Sequence, residues 1–179
     1  SDAAKARGMF GALYAADTLT LAFNHAMIIA NEFCFDHGSS ADAAFFYNDD
    51  PAQVTPIFQF QKMLAKHWGD SVLKTEGQSV PTVHVNGASA NFEMPKLAYT
   101  AAKGSDGKVY VMVTNRTNDT DVTSQVALGF TPKQVTAYTL RGNSGWNSTN
   151  DVSTSTTSTS LANGYTFPKA SVTILEVTP

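Results

Sequence analysis

Two carboxylates and an imidazole that could support hydrolytic chemistry lie within seven residues of one another, at Glu32, Asp36 and His37. A pair of well-placed carboxylates is enough for acid–base hydrolysis without a metal, and a histidine can act as the base. On one extended strand, however, side chains four residues apart are about 13 Å apart, too far to share one reacting bond. We therefore interpret Glu32 as the partner of a basic residue and Asp36 as a loop cap, with catalysis as the alternative.

Other catalytic and metal-binding classes find little support in the sequence. Cys34 is the single cysteine, so no intramolecular disulfide can form, and a small buried thiol is the simplest interpretation. The four histidines have no metal-ligand spacing, and no Gly-x-Ser-x-Gly elbow is present. We expect no metal and no cofactor.

The composition limits the class of partner. Of 179 residues, 42% are hydrophobic and 15% are charged, which is ample for a folded core, and the net charge is −3 without a Lys/Arg cluster. We therefore expect no nucleic-acid partner. The longest apolar stretch, residues 26–35, is interrupted by Asn31 and Glu32 and is too short to cross a bilayer, so we expect no membrane partner. Secretion and a cytoplasmic location both remain open.

The elements that would position these residues change character near Gly77. Before it, spacings of three and four predict a helix from a Ser1–Asp2 cap to about Asn24. Residues 27–35 resemble a buried strand. Asp49-Asp50-Pro51 predicts the start of a second helix that ends near Trp68. Helix, buried strand and helix form an unfinished α/β unit, because a buried strand needs partners on both edges.

After Gly77, short runs rich in Val, Thr and Tyr predict an antiparallel β-sandwich of about seven strands. The Ser/Thr-rich residues 147–160 are expected to form an exposed loop, and residues 105–108 a hairpin turn. The expected strands are 82–85, 97–102, 109–114, 122–128, 135–140, 165–167 and 172–177. The fold class is therefore α+β: a partial (β/α) barrel remnant over residues 1–76 and a sandwich over residues 77–179.

Three stretches, in order, carry a resemblance to a known family: Ala30-Asn31 late in the buried strand, residues 61–73 (QKMLAKHWGDSVL), and residues 95–102 with 108–116 (KVYVMVTNR). Together they resemble the C-terminal part of the family 51 glycoside hydrolases, the α-L-arabinofuranosidases. The resemblance implies the end of a (β/α)₈ barrel followed by a β-sandwich. It also implies a retaining mechanism with two carboxylates on the fourth and seventh barrel strands, both upstream of Ser1.

The resemblance places residues 31–36 at the wall of a sugar pocket. Asn31 and Cys34 are then substrate-binding candidates, although the family has a polar contact residue near the position of the Cys34 thiol. Trp146, in a Gly/Asn/Ser loop, is the one aromatic residue that we expect to be exposed for stacking on a sugar. The catalytic candidates within the chain remain Glu32, Asp36 and His37.

The function indicated is that of a C-terminal fragment of a hydrolase acting on arabinose-containing or related plant polysaccharides. Its sandwich would support the barrel, and residues 31–37 would line the sugar site. One alternative is a carbohydrate-binding accessory module, and another is a glycosidase whose site is built across an oligomer. Because the unfinished α/β unit leaves apolar surface uncovered, we expect a homo-oligomer or a missing N-terminal barrel half as partner.

Overall fold

The structure, a computed structural model, describes residues 8–26, 46–47, 50–86 and 91–179, with the backbone alone for residues 46–47 and 50–53. The expected cap at Ser1–Asp2 and the expected buried strand over residues 27–35 lie outside the described residues. Two helices and several antiparallel sheets make up the described part, which confirms the α+β class.

The first helix, α1, spans Met9–Asn24, and its end agrees with the prediction from residue spacing. Met9, Leu13, Ala16 and Thr20 recur at spacings of three and four and are buried. The helix has no side-chain cap, and instead the Met9 amide donates to the carbonyl of Ser148 at 2.7 Å. A backbone acceptor from the distant β segment therefore satisfies one of the free amides at the start of the helix.

The second helix, α2, spans Pro56–Lys66, so the start predicted at Asp49-Asp50-Pro51 is wrong. Residues 50–54 form a strand instead, paired with Phe46–Tyr47. Thr55 caps the helix by accepting a hydrogen bond from the Phe58 amide at 3.3 Å, and Pro56 occupies the first turn. The helix therefore begins at a proline five residues after the predicted one. A threonine hydroxyl caps it, where the prediction had placed two aspartates.

Twelve strands are described, most of them in the second half of the chain. They are β1 (Phe46–Tyr47), β2 (Asp50–Val54), β3 (Ser71–Leu73), β4 (Thr82–Asn86), β5 (Asn91–Pro95), β6 (Leu97–Lys103), β7 (Val109–Asn115), β8 (Val122–Ser124), β9 (Gln134–Gly142), β10 (Val152–Thr159), β11 (Tyr165–Phe167) and β12 (Ser171–Thr178). Six of them form one antiparallel sheet in the order β10-β9-β12-β7-β6-β3. The remaining strands pair as β1-β2, β4-β5 and β8-β11.

Both faces of the six-stranded sheet are buried, and alternate residues of its central strands serve the two sides. Met112, Leu140 and Ile174 pack with α1 and α2 on one face. On the other face, Val111 and Leu175 pack with Phe167 of β11. This double burial explains why β7 and β12 appear as nearly continuous apolar runs in the sequence.

The edge strand β10 corrects a second expectation. Residues 147–160 were expected to be a loop, but Val152–Thr159 pairs with β9 along its whole length. Most of its Ser and Thr side chains are exposed. Because β-branched threonine suits a pleated strand, pairing with β9 is enough to order a segment whose composition is typical of a loop.

The turn between β6 and β7 is as expected, whereas several strand boundaries differ. Gly104 and Lys108 pair through a hydrogen bond of 3.0 Å, and Gly107 has a φ of 83°. The strand expected over residues 122–128 ends at Ser124, and β3 and β5 were not expected. Because β3 joins the sheet through β6, residues on both sides of Gly77 contribute to one sheet. Neither described helix is long and apolar enough to cross a membrane.

Candidate functional site

The predicted pocket segment carries five of the candidate residues. Asn31, Glu32, Cys34, Asp36 and His37 all lie outside the described residues, and their roles stay predictions. Of the candidate residues, Trp146 alone falls within the described part of the chain.

Trp146 lies in a short 3₁₀ turn, Gly145–Asn147, after β9. Its ring is half-buried against the helix side of the sheet, and its ring N–H donates to the Arg116 carbonyl at 3.1 Å. Phe10 of α1 meets it edge to face, with ring centroids 6.1 Å apart. The exposure expected for Trp146 is therefore only partial, because the ring holds α1 against the sheet.

The Trp146 turn is fixed by a glycine and an asparagine. Gly145 has a φ of 72°, a left-handed conformation that side chains disfavour, and an added Cβ would collide with the Asn118 side chain. Asn118 Oδ1 in turn accepts a hydrogen bond from the Trp146 amide at 2.8 Å. The backbone at this turn is therefore well determined.

Arg116 is the centre of a first polar cluster, which we call the arginine cluster: Arg116, Asp17, the carbonyl of Pro95 and Trp146. The Arg116 guanidinium donates to Asp17 Oδ2 at 2.6 Å through Nε and to the Pro95 carbonyl at 3.1 Å through Nη1. Burial raises the pKa of Asp17, and the charge and hydrogen bond of Arg116 oppose that rise. Asp17 Oδ1 is buried without a hydrogen-bond partner. The cluster ties α1 to the end of β7.

Glu176 of β12 is the centre of a second polar cluster, the glutamate cluster: Glu176, Lys108, His67, Tyr110 and Asp106. Lys108 Nζ lies 2.7 Å from Glu176 Oε1, and Tyr110 donates to Asp106 Oδ2 at 2.9 Å. His67, the C-cap of α2, lies 3.5 Å from Glu176 Oε2 through Nδ1. This cluster ties α2 to the opposite end of the sheet.

The pKa values in the glutamate cluster follow from these contacts. Burial, reinforced by the hydrogen bond to Asp106, raises the pKa of Tyr110 to about 12. The hydrogen bond to Glu176 raises the pKa of Lys108. The backbone amide of Lys108 is the main cause of the lowered pKa of Asp106. All three shifts favour the charge states that the cluster already pairs.

Neither cluster has the chemistry of a glycosidase centre. The Asp17 carboxylate is held by an arginine, and Glu176 by a lysine, so each has the environment of a structural ion pair. Within the described ranges, no three His, Cys, Asp or Glu side chains come together to hold a metal ion. Sequence reasoning identified Arg116 only as the end of a motif and missed Asp17, because a partner 99 residues away leaves no local signal.

Solved structures share this fold. An α-L-arabinofuranosidase of glycoside hydrolase family 51 from Thermotoga petrophila matches over 96% of this chain and 38% of its own, with a TM-score of 0.71 and 20% identity. The family 51 arabinofuranosidase from Xanthomonas axonopodis pv. citri matches over 96% of this chain and 36% of its own, with a TM-score of 0.71 and 18% identity. The fold predicted from the sequence motifs is confirmed.

A more distant likeness extends beyond that family. The catalytic domain of a family 30 xylanase from Talaromyces cellulolyticus matches over 80% of this chain and 29% of its own, with a TM-score of 0.55 and 18% identity. No protein-family model matches the chain, and no curated protein sequence does. The chain thus spans little more than a third of the arabinofuranosidases that it resembles, and the likeness is one of fold.

Proposed function

We propose that this chain is part of a glycoside hydrolase acting on arabinose-containing or related plant polysaccharides, and that a further polypeptide segment supplies the catalytic carboxylates. The observation that carries this proposal is the match in fold over 96% of the chain to an arabinofuranosidase of which the chain spans 38%. In this proposal residues 31–37 line the sugar site, and the six-stranded sheet holds the two helices in position.

The exposed apolar face of α1 is an argument that a further segment packs against this helix. Phe10, Tyr14 and Leu21 are 42%, 68% and 60% exposed. At 100° per residue these three positions fall within about 40° of one another around the helix. Their direction differs from that of the buried Met9, Leu13 and Ala16 stripe. A helix with apolar residues on two sides is typical of one that packs between two layers.

The environment of Trp146 favours a supporting role over an accessory binding module. The ring N–H of Trp146 already donates a hydrogen bond to the Arg116 carbonyl, and the rings of Trp146 and Phe10 meet edge to face. A sugar-stacking platform needs an open ring face, and the half-buried Trp146 has part of its surface committed to the core.

The test is a hydrolysis assay with an aryl α-L-arabinofuranoside. We expect the 179-residue chain alone to give no turnover above spontaneous hydrolysis, and turnover to appear when it is produced together with the polypeptide encoded immediately upstream. A triple change of Phe10, Tyr14 and Leu21 to Ser should weaken that restoration. The matched control changes to Ser two exposed apolar side chains outside α1: Phe92 of β5 and Phe130 between β8 and β9.

Two results would contradict the proposal. Robust turnover by the chain alone, abolished by Glu32→Gln or Asp36→Asn, would show that the site is complete in an oligomer of this chain. Equal losses from the triple change and from its control would show that the α1 face is not the joining surface. Sedimentation at micromolar concentration separates a second copy from an upstream segment as the covering partner.

A further inference from the structure

The six-stranded sheet ends in two edge strands of very different length. At one edge, β3 has three residues, Ser71–Leu73, whereas at the other edge β10 has eight, Val152–Thr159. An edge strand carries a row of backbone N–H and C=O groups on its outer side, and these groups can pair with a strand of another chain. Of the described strands, β9 alone pairs with β10. The long edge is therefore the one that can accept a further strand.

The sequence of β10 contains none of the features with which proteins usually protect an edge. Lysine, proline or a bulge commonly prevents pairing between edge strands. Val152–Thr159 consists of one valine and otherwise of serine and threonine, without a charge or a proline. Its register against β9 is regular from the first pair to the last, so no bulge interrupts it. The outer side of β10 is therefore a regular, uncharged row of backbone groups.

Two backbone hydrogen bonds at the end of β9 show which residues of β10 face outward. The Asn143 amide donates to the Asp151 carbonyl at 3.2 Å, and on the β12 side the Gly142 amide donates to the Ala170 carbonyl at 3.0 Å. Because backbone groups alternate in direction along an antiparallel strand, every second residue from Asp151 onward bonds to β9. The residues whose N–H and C=O groups point away from β9 are therefore Val152, Thr154, Thr156 and Ser158.

These outward groups are complementary to a second copy of themselves. When two β10 strands pair antiparallel about a two-fold axis at Ser155, Thr154 lies opposite Thr156 of the second copy, and Val152 lies opposite Ser158. Every outward N–H of each copy then meets an outward C=O of the other. A register centred on Thr156 instead would leave Val152 without an opposite residue in the second β10. The register at Ser155 therefore uses the whole outer side of the strand.

The side chains of β10 fit the same register. Thr154 then lies opposite Thr156, and Ser153 opposite Thr157, so hydroxyls face hydroxyls with which they can hydrogen-bond. Residues 153–158 are exposed, so a second strand can approach them. Because the strand is uncharged, two identical strands bring no like charges together, whereas a charged peptide would find no counter-charge on β10. These features favour a second copy of this chain as the partner.

We propose that two copies of this chain associate through their β10 strands, paired antiparallel about a two-fold axis at Ser155, so that one sheet continues across both copies. A single pair of strands makes a small interface, and we expect a reversible, concentration-dependent dimer. The inference concerns the sheet edge and does not rest on the proposed hydrolase function. A dimer without hydrolysis leaves it standing, and hydrolysis by a monomer leaves the proposed function standing.

The test is sedimentation equilibrium of the 179-residue chain from about 1 µM to about 500 µM, a range in which weak dimers dissociate. Ser155→Lys places two ammonium groups opposite each other at the axis, and Ser155→Glu places two carboxylates there. Each variant alone should dimerise about 2–5-fold more weakly than the unchanged chain. An equimolar mixture of the two should recover the dimer, because the heterodimer pairs opposite charges. The matched control is Thr166→Lys at an exposed position of β11, which should dimerise as the unchanged chain does.

A second variant, Thr156→Pro, tests the backbone pairing itself. Proline is tolerated on an edge strand where the missing N–H faces away from the sheet, so β10 should stay paired with β9, and amide NMR checks this. The change removes one outward donor from each copy, so it should weaken dimerisation about 10-fold or more.

Several results would overturn the inference. One is a monomer at every concentration. Another is a dimer that neither charge at Ser155 weakens, or that the mixture of the two variants fails to recover. A Thr156→Pro chain that keeps the β9–β10 pairing and dimerises as the unchanged chain does would also overturn it. Association that responds to the Ser changes on α1 and to none of the β10 changes would place the contact on α1 instead.

Discussion

The arginine cluster and the glutamate cluster lie beyond opposite ends of β7, and each joins a helix to the sheet by an ion pair. In the glutamate cluster, the Glu176 carboxylate faces both Lys108 and His67. In the arginine cluster, one oxygen of Asp17 is paired and the other is buried without a partner. Each cluster therefore leaves one buried atom without a hydrogen-bond partner: His67 Nδ1 in the glutamate cluster and Asp17 Oδ1 in the arginine cluster.

Buried polar atoms without a hydrogen-bond partner occur on both sides of the described sheet, and each cluster holds one of them. Besides Asp17 and His67, these atoms belong to Thr20, Thr100, Thr114 and Arg141. Thr114 precedes Arg116 by two residues, and Arg141 lies opposite Ser171 at the same end of the sheet. The two clusters differ instead in the basic partner of the carboxylate, which is a flexible lysine ammonium for Glu176 and a planar arginine guanidinium for Asp17.

The largest expected effect comes from Arg116→Ala. It leaves the mostly buried Asp17 carboxylate without its counter-charge and removes the bond to the Pro95 carbonyl. We expect a loss of about 2–4 kcal/mol in the free energy of unfolding at pH 7. Urea unfolding followed by tryptophan fluorescence measures it. Arg116→Lys should recover only part of the loss, because lysine keeps the charge without the planar fork. Full recovery by lysine would mean that charge alone matters.

Glu176→Gln should lower the free energy of unfolding by less than Arg116→Ala does. The amide keeps its shape and one acceptor, and the partners Lys108 and His67 both reach solvent. We expect less than about half the loss caused by Arg116→Ala in the same urea experiment, because glutamine keeps the side-chain shape and one acceptor, whereas alanine removes every contact of the guanidinium. A loss equal to that of Arg116→Ala would make the two clusters equivalent and remove the contrast between them.

The pH dependence should differ in sign between Asp17 and the lowered-pKa carboxylates. Because burial raises the Asp17 pKa above 3.8, its protonated form is favoured in the fold. Its contribution is therefore fully present below 3.8 and is lost as pH rises through the raised value. Carboxylates with a lowered pKa, such as Asp106, behave in the opposite way: the stability that they contribute to the fold is lost as the pH falls.

The measurement is the unfolding free energy of the unchanged chain minus that of Asp17→Asn across this window. We expect the difference to fall as the pH rises above 3.8. The corresponding difference for Asp106→Asn should rise with pH over the acidic range. Parallel curves for the two variants would show that burial does not dominate at Asp17.

The smallest expected effect is that of Thr114→Val. Thr114 is fully buried, and its hydroxyl has no hydrogen-bond partner. Valine has the same shape without that polar atom, so we expect a gain of up to about 1 kcal/mol in unfolding free energy. Thr173→Val is the matched control. The Thr173 hydroxyl lies 3.0 Å from the Thr139 hydroxyl, so removing it should lower the free energy of unfolding. Destabilisation by both variants would argue that Thr114 has a partner in solution.

Much of the fold could be predicted from local patterns. The buried face of α1 shows in its spacing, and β7 and β12 show as apolar runs because both faces of the sheet are covered. The start of α2 was misplaced because Pro51 and Pro56 give the same local signal, and only the capping contact of Thr55 separates them. The strand β10 was missed because its order comes from pairing with β9.

The candidate site was less predictable, for a different reason. Residues 31–37 were chosen by chemistry and resemblance and stay predictions, together with the boundary at Gly77. Trp146 was chosen because its neighbours are typical of a loop, but its burial depends on Phe10 and Arg116, which are far away in sequence.

The position of β12 in the sheet has a consequence for synthesis. This strand lies between β7 and β9 and bonds to both, yet it follows every other described strand in chain order. During translation, β9 and β10 cannot join the sheet that contains β6 and β7 until residues 171–178 have left the ribosome. Before that moment the nascent chain exposes two separate apolar ribbons, so we expect a strong dependence on chaperones during translation.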